Sequence, residues 1–147
     1  MPSEHAALTA LAWRSKAFWG YSADQMETWR EALTIKEEEL RVQPSFLAEV
    51  HNEVAGFYLL SQSNNMLWLD HLWVEPTFMR QGCGRALVTH ACAVAGASGA
   101  KELHVASDPN AAPFYQRLGA AAIGHIPPGA NSGRALPHLV FVLGASE

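Results

Sequence analysis

The stretch from Val74 to Ala86 carries residue types and spacing that suit an anion. An apolar run, Leu67 to Val74, reads as a strand, and Pro76 stops it because proline cannot donate to a ladder. Gly82 and Gly84 follow. Then come helix formers with apolar residues at Leu87, Val88, Ala91 and Ala95, a helical spacing. Glycines let backbone approach a ligand closely, and the first N–H groups of a helix have no intrahelical partner. With the helix dipole behind them, those groups suit a phosphate. On these residues alone a plain tight turn is the alternative. A Walker loop does not fit, because Gly84 is followed by Arg85-Ala86 rather than by lysine and a hydroxyl residue. A dinucleotide fingerprint does not fit either, since Leu87 stands where a third small residue is needed.

Val-x-Pro, five residues, then Gly-x-Gly on a strand-to-helix turn resembles the acetyl-CoA signature of the GNAT superfamily of N-acetyltransferases. Downstream, Asp108-Pro-Asn-Ala-Ala-Pro-Phe-Tyr-Gln-Arg-Leu-Gly-Ala120 is similar to that family's second signature. The resemblance runs from about Phe46 to the C-terminus and is weaker in the N-terminal helices. It departs from the family at Met79-Arg80, where Arg or Gln followed by Gly is usual.

The resemblance implies acetyl transfer from acetyl-CoA, as co-substrate and without a metal, to a primary amine in a direct, ternary-complex reaction. Backbone N–H groups of Arg80, Gln81, Gly82, Cys83, Gly84 and Arg85 would take the pyrophosphate. The pantetheine arm would lie along Leu72, Trp73 and Val74 like an added strand, with an N–H near Val74 as oxyanion donor. Asn110 would bond the arm or cap the next helix, and Phe114 would join the acetyl-CoA site. Tyr115 matches the general acid that protonates the departing thiolate; a core tyrosine is the alternative. For the base there are three candidates, of which Asp70 is the catalytic choice. Asp70 and His71 alternate along the strand, so at most one should face the cleft, and Glu75 sits just past the oxyanion donor. Trp19 and Tyr21, in an aromatic loop between the first helices, either wall the acceptor site or staple the core. Arg134, in a glycine-rich loop, would pair with an acceptor carboxylate. The acceptor is expected to be a small amine or amino-acid-like molecule, with a protein lysine or N-terminus as the other option. A non-catalytic acyl-CoA-binding module is the reading from another class.

These residues need a scaffold. The chain has 147 residues, 49% hydrophobic and 16% charged, which fits one folded domain spanning 1–147. A net charge of −4 argues against nucleic acid as the partner. No apolar run reaches membrane-span length and no signal peptide is evident, so a soluble cytoplasmic protein is expected. Cys83 and Cys92 on one helix would stand about 13.5 Å apart along its axis, beyond disulfide reach. Cys83 is either a reactive thiol at a helix N-terminus or a small residue filling the turn.

Ser3 can cap a first helix through Leu8, Leu11, Ala12 and Ser15. Ser22 to Gln25 has capping-box form, with Met26, Trp29 and Leu33 on one face; Thr34 to Glu37 repeats that form before an acidic turn. Phe46–His51 and Val54–Leu60 read as strands joined at Asn52-Glu53, and Ser63-Asn64-Asn65 turns into the central strand. A strand at Glu102–Ser107, a helix over Ala111–Leu118, a strand at Ala121–Ile126 and a last strand at Leu139–Leu143 closing the sheet follow. Leu67 to Ser107 should form a parallel, right-handed unit. The expected fold is α/β, the GNAT / acyl-CoA N-acyltransferase fold: a mixed, mostly antiparallel sheet with a splayed parallel strand pair and helices on both faces. The family's first strand is missing, so either the chain lacks it or its true start lies upstream. Without that strand, Phe46–His51 becomes a sheet edge, and a homodimer is one way to cover it.

Overall fold

Strand β2 (Glu53–Ser63) is apolar at successive positions because it is buried on both faces. Phe57 and Leu59 enter a core with Leu8, Leu11, Met26, Trp29, Leu33 and Ile35. Tyr58 and Leu60 enter the opposite core, with Leu69, Leu87, Val88, Leu103 and Leu139. The computed structural model describes residues 5–63, 65–127 and 135–143. Ser3, Asn64 and the Ser132–Arg134 segment fall outside them.

One layer is α1 (His5–Ala17), α2 (Ala23–Thr28), α3 (Arg30–Leu33) and α4 (Glu37–Val42). In α1 the buried positions Leu8, Leu11, Ala12 and Ser15 follow the helical spacing of the sequence. Ser22 and Gln25 form the expected capping box. Met26, Trp29 and Leu33 are buried as expected, with Trp29 marking a break between two short helices. Thr34 does not cap α4. Its hydroxyl donates back to the Arg30 carbonyl, and Ile35 plunges into the core instead, its N–H held by Thr9 Oγ1 at 2.7 Å. The acidic turn Glu37–Glu39 then opens α4 after Lys36, whose N–H donates to Glu39 Oε1.

The sheet has the order β1-β2-β3-β4-β6-β5, with β1 (Ser45–Val50), β3 (Met66–Val74), β4 (Glu102–Ala106), β5 (Ala121–Ile126) and β6 (Leu136–Val142). The β1–β2 turn falls at His51-Asn52, one residue earlier than expected, both with positive φ as in a primed hairpin. β6 closes the sheet from within, between β4 and β5, so β5 is the far edge. β3 and β4 are parallel; every other pair is antiparallel. Helices α5 (Cys83–Ala97) and α6 (Ala112–Arg117) cover the second face. α5 approaches closely at Gly56, where an added Cβ would stand 2.7 Å from the Trp73 carbonyl and 3.0 Å from Leu87. Among the described residues no strand precedes α1, and β1 is the near edge. No helix among them is long and apolar enough to cross a membrane.

Candidate active site

β3 and β4 pair at a single position, Trp68 with His104, and then part. A cleft of about 540 Å³ opens beyond that point. Its walls include the second half of β3, the end of β4, the start of α5 and the first turn of α6.

The glycine turn sits at one end. Arg80 and Gly82 are both left-handed, with φ of 66° and 84°. Gly82 is the N-cap of α5 and offers no side chain to it, so the first N–H groups of that helix stay open to an anion. A Cβ added at Gly82 would meet no atom within 4 Å, so the space beside it is clear. Gly84 is tighter, with an added Cβ 3.1 Å from the Phe114 ring. Arg80, Gly82, Gly84, Arg85 and Phe114 all line the cleft; Gln81 and Cys83 do not. The Gln81 side chain donates to the Thr77 carbonyl. Cys83 packs against the core and its thiol is pushed up by burial, which fits the turn-filling alternative.

Along β3, Leu72, Trp73 and Val74 line the opening. The β2–β3 register slips between Leu59–His71 and Leu60–Leu69, leaving Asp70 unpaired in a bulge. The bulge corrects the expectation that Asp70 and His71 face opposite ways. One ligand atom from each of Asp70, His71 and Glu39 lies within 4.8 Å of the others. Asp70 borders the cleft, and its carboxyl is raised above the ordinary value, by burial first and by Glu39 as well, against a pull from His71. His71 is buried and held below its usual range by that burial. Its Nδ1 accepts the Trp73 indole N–H at 2.9 Å, so the neutral ring carries its hydrogen on Nε2 and has no lone pair left for a proton or a metal. Glu75 is engaged elsewhere, in a two-pronged pair with Arg14 at 2.6 and 2.7 Å.

Tyr115 lines the cleft and is 6% exposed, packed edge-on against Phe114 and Phe141. Among the described residues no hydrogen bond engages its hydroxyl. Burial, with the nearby Asp108 charge, pushes that phenol far above its ordinary range, so it stays protonated and able to donate.

A network at the other wall was not read from the sequence. Buried Lys16 pairs with Asp108, and its ammonium sits 4.4 Å from the Trp29 ring centre. Tyr21 donates to Asp108 at 2.9 Å, and Asn110 Nδ2 donates to the Tyr21 oxygen at 2.7 Å. The Asn110 N–H also reaches Asp108. Asn110 therefore does not cap α6, whose N-cap is Ala111 without a side-chain bond. Tyr21 braces this network and packs on Trp29 rather than lining the mouth. Trp19 does line it, with Phe18, both about half exposed. Arg134 lies outside the described residues. The signal for Lys16 was available: it stands one helical turn after buried Ala12.

The match of a family model described as the acetyltransferase (GNAT) family covers residues 6–120. A GCN5-related N-acetyltransferase from Rhodopseudomonas palustris is 26% identical, with TM-score 0.83 over 97% of this chain and 92% of that one. The PaiA N-acetyltransferase of Thermoplasma acidophilum, solved with coenzyme A, is 17% identical, with TM-score 0.74 over 96% and 94%. The ribosomal-protein-S18-alanine N-acetyltransferase of Escherichia coli is 20% identical, with TM-score 0.67 over 96% and 88%. No curated protein gave a significant sequence match.

Breaking the Lys16–Asp108 pair from one side should be costly, because the lysine remains buried. Asp108→Asn is expected to destabilise the fold by about 3 kcal/mol at pH 7 in urea unfolding. Burial pushes the Asp108 pKa up, but the bonds from Lys16, Asn110 and Tyr21 bring it net below its ordinary value. The stability it contributes is therefore present above pH of about 4 and is lost as pH falls through the folded pKa. The gap between wild type and variant should close in acid; a gap that stays constant to pH 3 would refute the assignment.

Proposed function

The chain belongs to the GNAT acetyltransferase family, and from that premise we propose that it moves an acetyl group from acetyl-CoA directly to the primary amine of a small molecule. The observation that carries the reading is one continuous cleft in which an open helix N-terminus, a parted strand and a protonated tyrosine line up. The residues fit acetyl-CoA as substrate. Backbone N–H groups from Arg80 to Arg85 bind the pyrophosphate, and the clear space at Gly82 admits it. Main-chain groups of Leu72 and Val74 pair with the pantetheine arm, since β4 has left that side of β3. An N–H near Val74 polarises the thioester carbonyl. Asn110 and Phe114 border the arm.

Transfer then needs a neutral amine and a proton for the thiolate. Asp70, with its raised pKa and cleft position, takes the proton from the amine; Glu75 and His71 are each occupied by other bonds. Tyr115 gives its proton to sulfur. Trp19 walls the acceptor side, and Arg134 is the proposed partner of an acceptor carboxylate. The E. coli neighbour's printed name concerns a protein N-terminal alanine, so an N-terminal peptide belongs in the acceptor panel beside small amines. Two free cysteines suit a reducing cytoplasm. The β1 edge and half-exposed Phe46 on it support a homodimer built on that strand; a monomeric mass by light scattering at micromolar concentration would sink it.

The test is thiol release from acetyl-CoA over a panel of amines. Amine-dependent release is expected, and its absence with every acceptor, alongside tight CoA binding, would favour a binding module. Tyr115→Phe removes only a hydroxyl that no hydrogen bond engages, so it should cut kcat by about 10²–10⁴ with near-normal thermal stability and acetyl-CoA affinity. Normal turnover in that variant would leave Tyr115 as core packing. Asp70→Asn should lose activity by a similar factor. Asp70 must be ionised to act, so wild-type kcat/KM should rise with pH through a pKa above the usual carboxylate value of about 4, and that limb should vanish in the variant. The stability effect has the opposite sign. A raised folded pKa means that stability is fully present below pH of about 4 and is lost as Asp70 ionises, so Asp70→Asn should melt higher than wild type at pH 7.

A further inference from the structure

The cleft leaves a second constellation unused. His104, on β4, is buried, and His138, on β6, is partly buried. Their ring nitrogens, His104 Nδ1 and His138 Nε2, stand 2.9 Å apart. We propose that His104 and His138 form a binding site for one divalent transition-metal ion of the copper(II) or nickel(II) type, at the point where the sheet begins to split.

The spacing, set by a ring-to-ring hydrogen bond in the metal-free protein, also suits this class of ion. Two imidazole nitrogens at about 2.05 Å from one ion and at right angles to each other stand about 2.9 Å apart; tetrahedral ligation would need about 3.3 Å. Right-angled ligation by nitrogen belongs to the tetragonal ions, copper(II) and nickel(II). The other nitrogen of His104 faces Glu102 Oε1 at 3.1 Å. A carboxylate receiving the far N–H of an imidazole fixes its tautomer and turns its Nδ1 lone pair outward, which is the usual outer support of a metal-bound histidine. In the metal-free protein the two rings share a hydrogen. On ligation His138 carries its hydrogen on Nδ1. His71 cannot make this change, since its Nδ1 already accepts from an indole that can only donate.

Access and surroundings also fit. His104 and Glu102 line a separate cavity of about 630 Å³ at the end of β4 away from the cleft, giving water and ions a route to the pair. Trp68 covers the two rings, its centroid 5.2 Å from each. The ion would clamp β4 to β6 beside the one β3–β4 pairing. Neither histidine lines the cleft, so the ion would have no part in acetyl transfer.

Calorimetric titration of nickel(II) into the full chain, under nitrogen to keep Cys83 and Cys92 reduced, tests the site. One ion per chain is expected, with a micromolar or tighter Kd and a higher melting temperature. His138→Gln, whose folding circular dichroism can verify, should weaken binding at least tenfold, as should His104→Gln. Glu102→Ala should weaken it by about 10- to 100-fold without removing a ligand. Trp68→Phe should keep the affinity but lose most of the fluorescence quenching that nickel causes. Wild-type affinity in a folded His138→Gln variant, or no binding by the wild type, would overturn the proposal. Acetyl transfer with and without a chelator should be equal, so a failed metal site and a failed transferase reading give separate results.

Discussion

β3 and β4 share one backbone pairing, Trp68 with His104. A parallel pair that continued would seal the sheet and leave no cleft. The bulge at Asp70 bends β3 and steepens its twist just past that pairing, so the strands diverge where a longer ladder would otherwise run. The rest follows from this parting. It uncovers the β3 edge at Leu72–Val74, sets Asp70 at the opening, and leaves room for the start of α5 and the first turn of α6, which meet at Gly84 and Phe114. Gly56, opposite Val74, lets α5 lie close enough to wall the cleft.

The second constraint is electrostatic. A buried lysine is expensive unless paired, and Lys16 is paired with Asp108 across 92 positions of sequence. That pair fixes the end of α1 against the loop between β4 and α6. Tyr21 and Asn110 complete the bracing, so residues that a motif reading assigns to ligand binding hold the walls in place. Arg14 and Glu75 make a similar tie to the end of β3, more exposed and correspondingly weaker.

Local patterns made most of the fold legible. Helical spacing located α1 and α5, apolar runs and turn residues located the strands, and the glycine turn with the Asn-to-Gly segment pointed to two stretches that line the cleft. What stayed hidden depended on pairing between distant segments. Nothing near Asp70 announces a bulge, because a bulge is a relation between two strands; hence simple alternation set Asp70 and His71 on opposite faces, where the structure brings them together. Thr34 looked like a cap, but burial of Ile35 outweighed the local hydrogen bond. Cys83 and Gln81 sit inside the glycine motif but do not line the cleft, because Cys83 turns to the core and Gln81 to the Thr77 carbonyl. The order of the last two strands was not legible, because either could have held the edge.

β2 belongs to both cores, and this has a consequence for how the molecule's stability is distributed. Its side chains alternate between two helical layers, so neither layer can detach without exposing the strand that supports the other. The strand pair β2–β3 therefore opens only with the whole domain. β5 is different: it is exposed along nearly its whole length and is held by β6 alone. Local opening is thus cheapest at that wing and dearest at the centre. Tyr115, packed edge-on against Phe141 of β6, keeps its position while the β5 edge fluctuates.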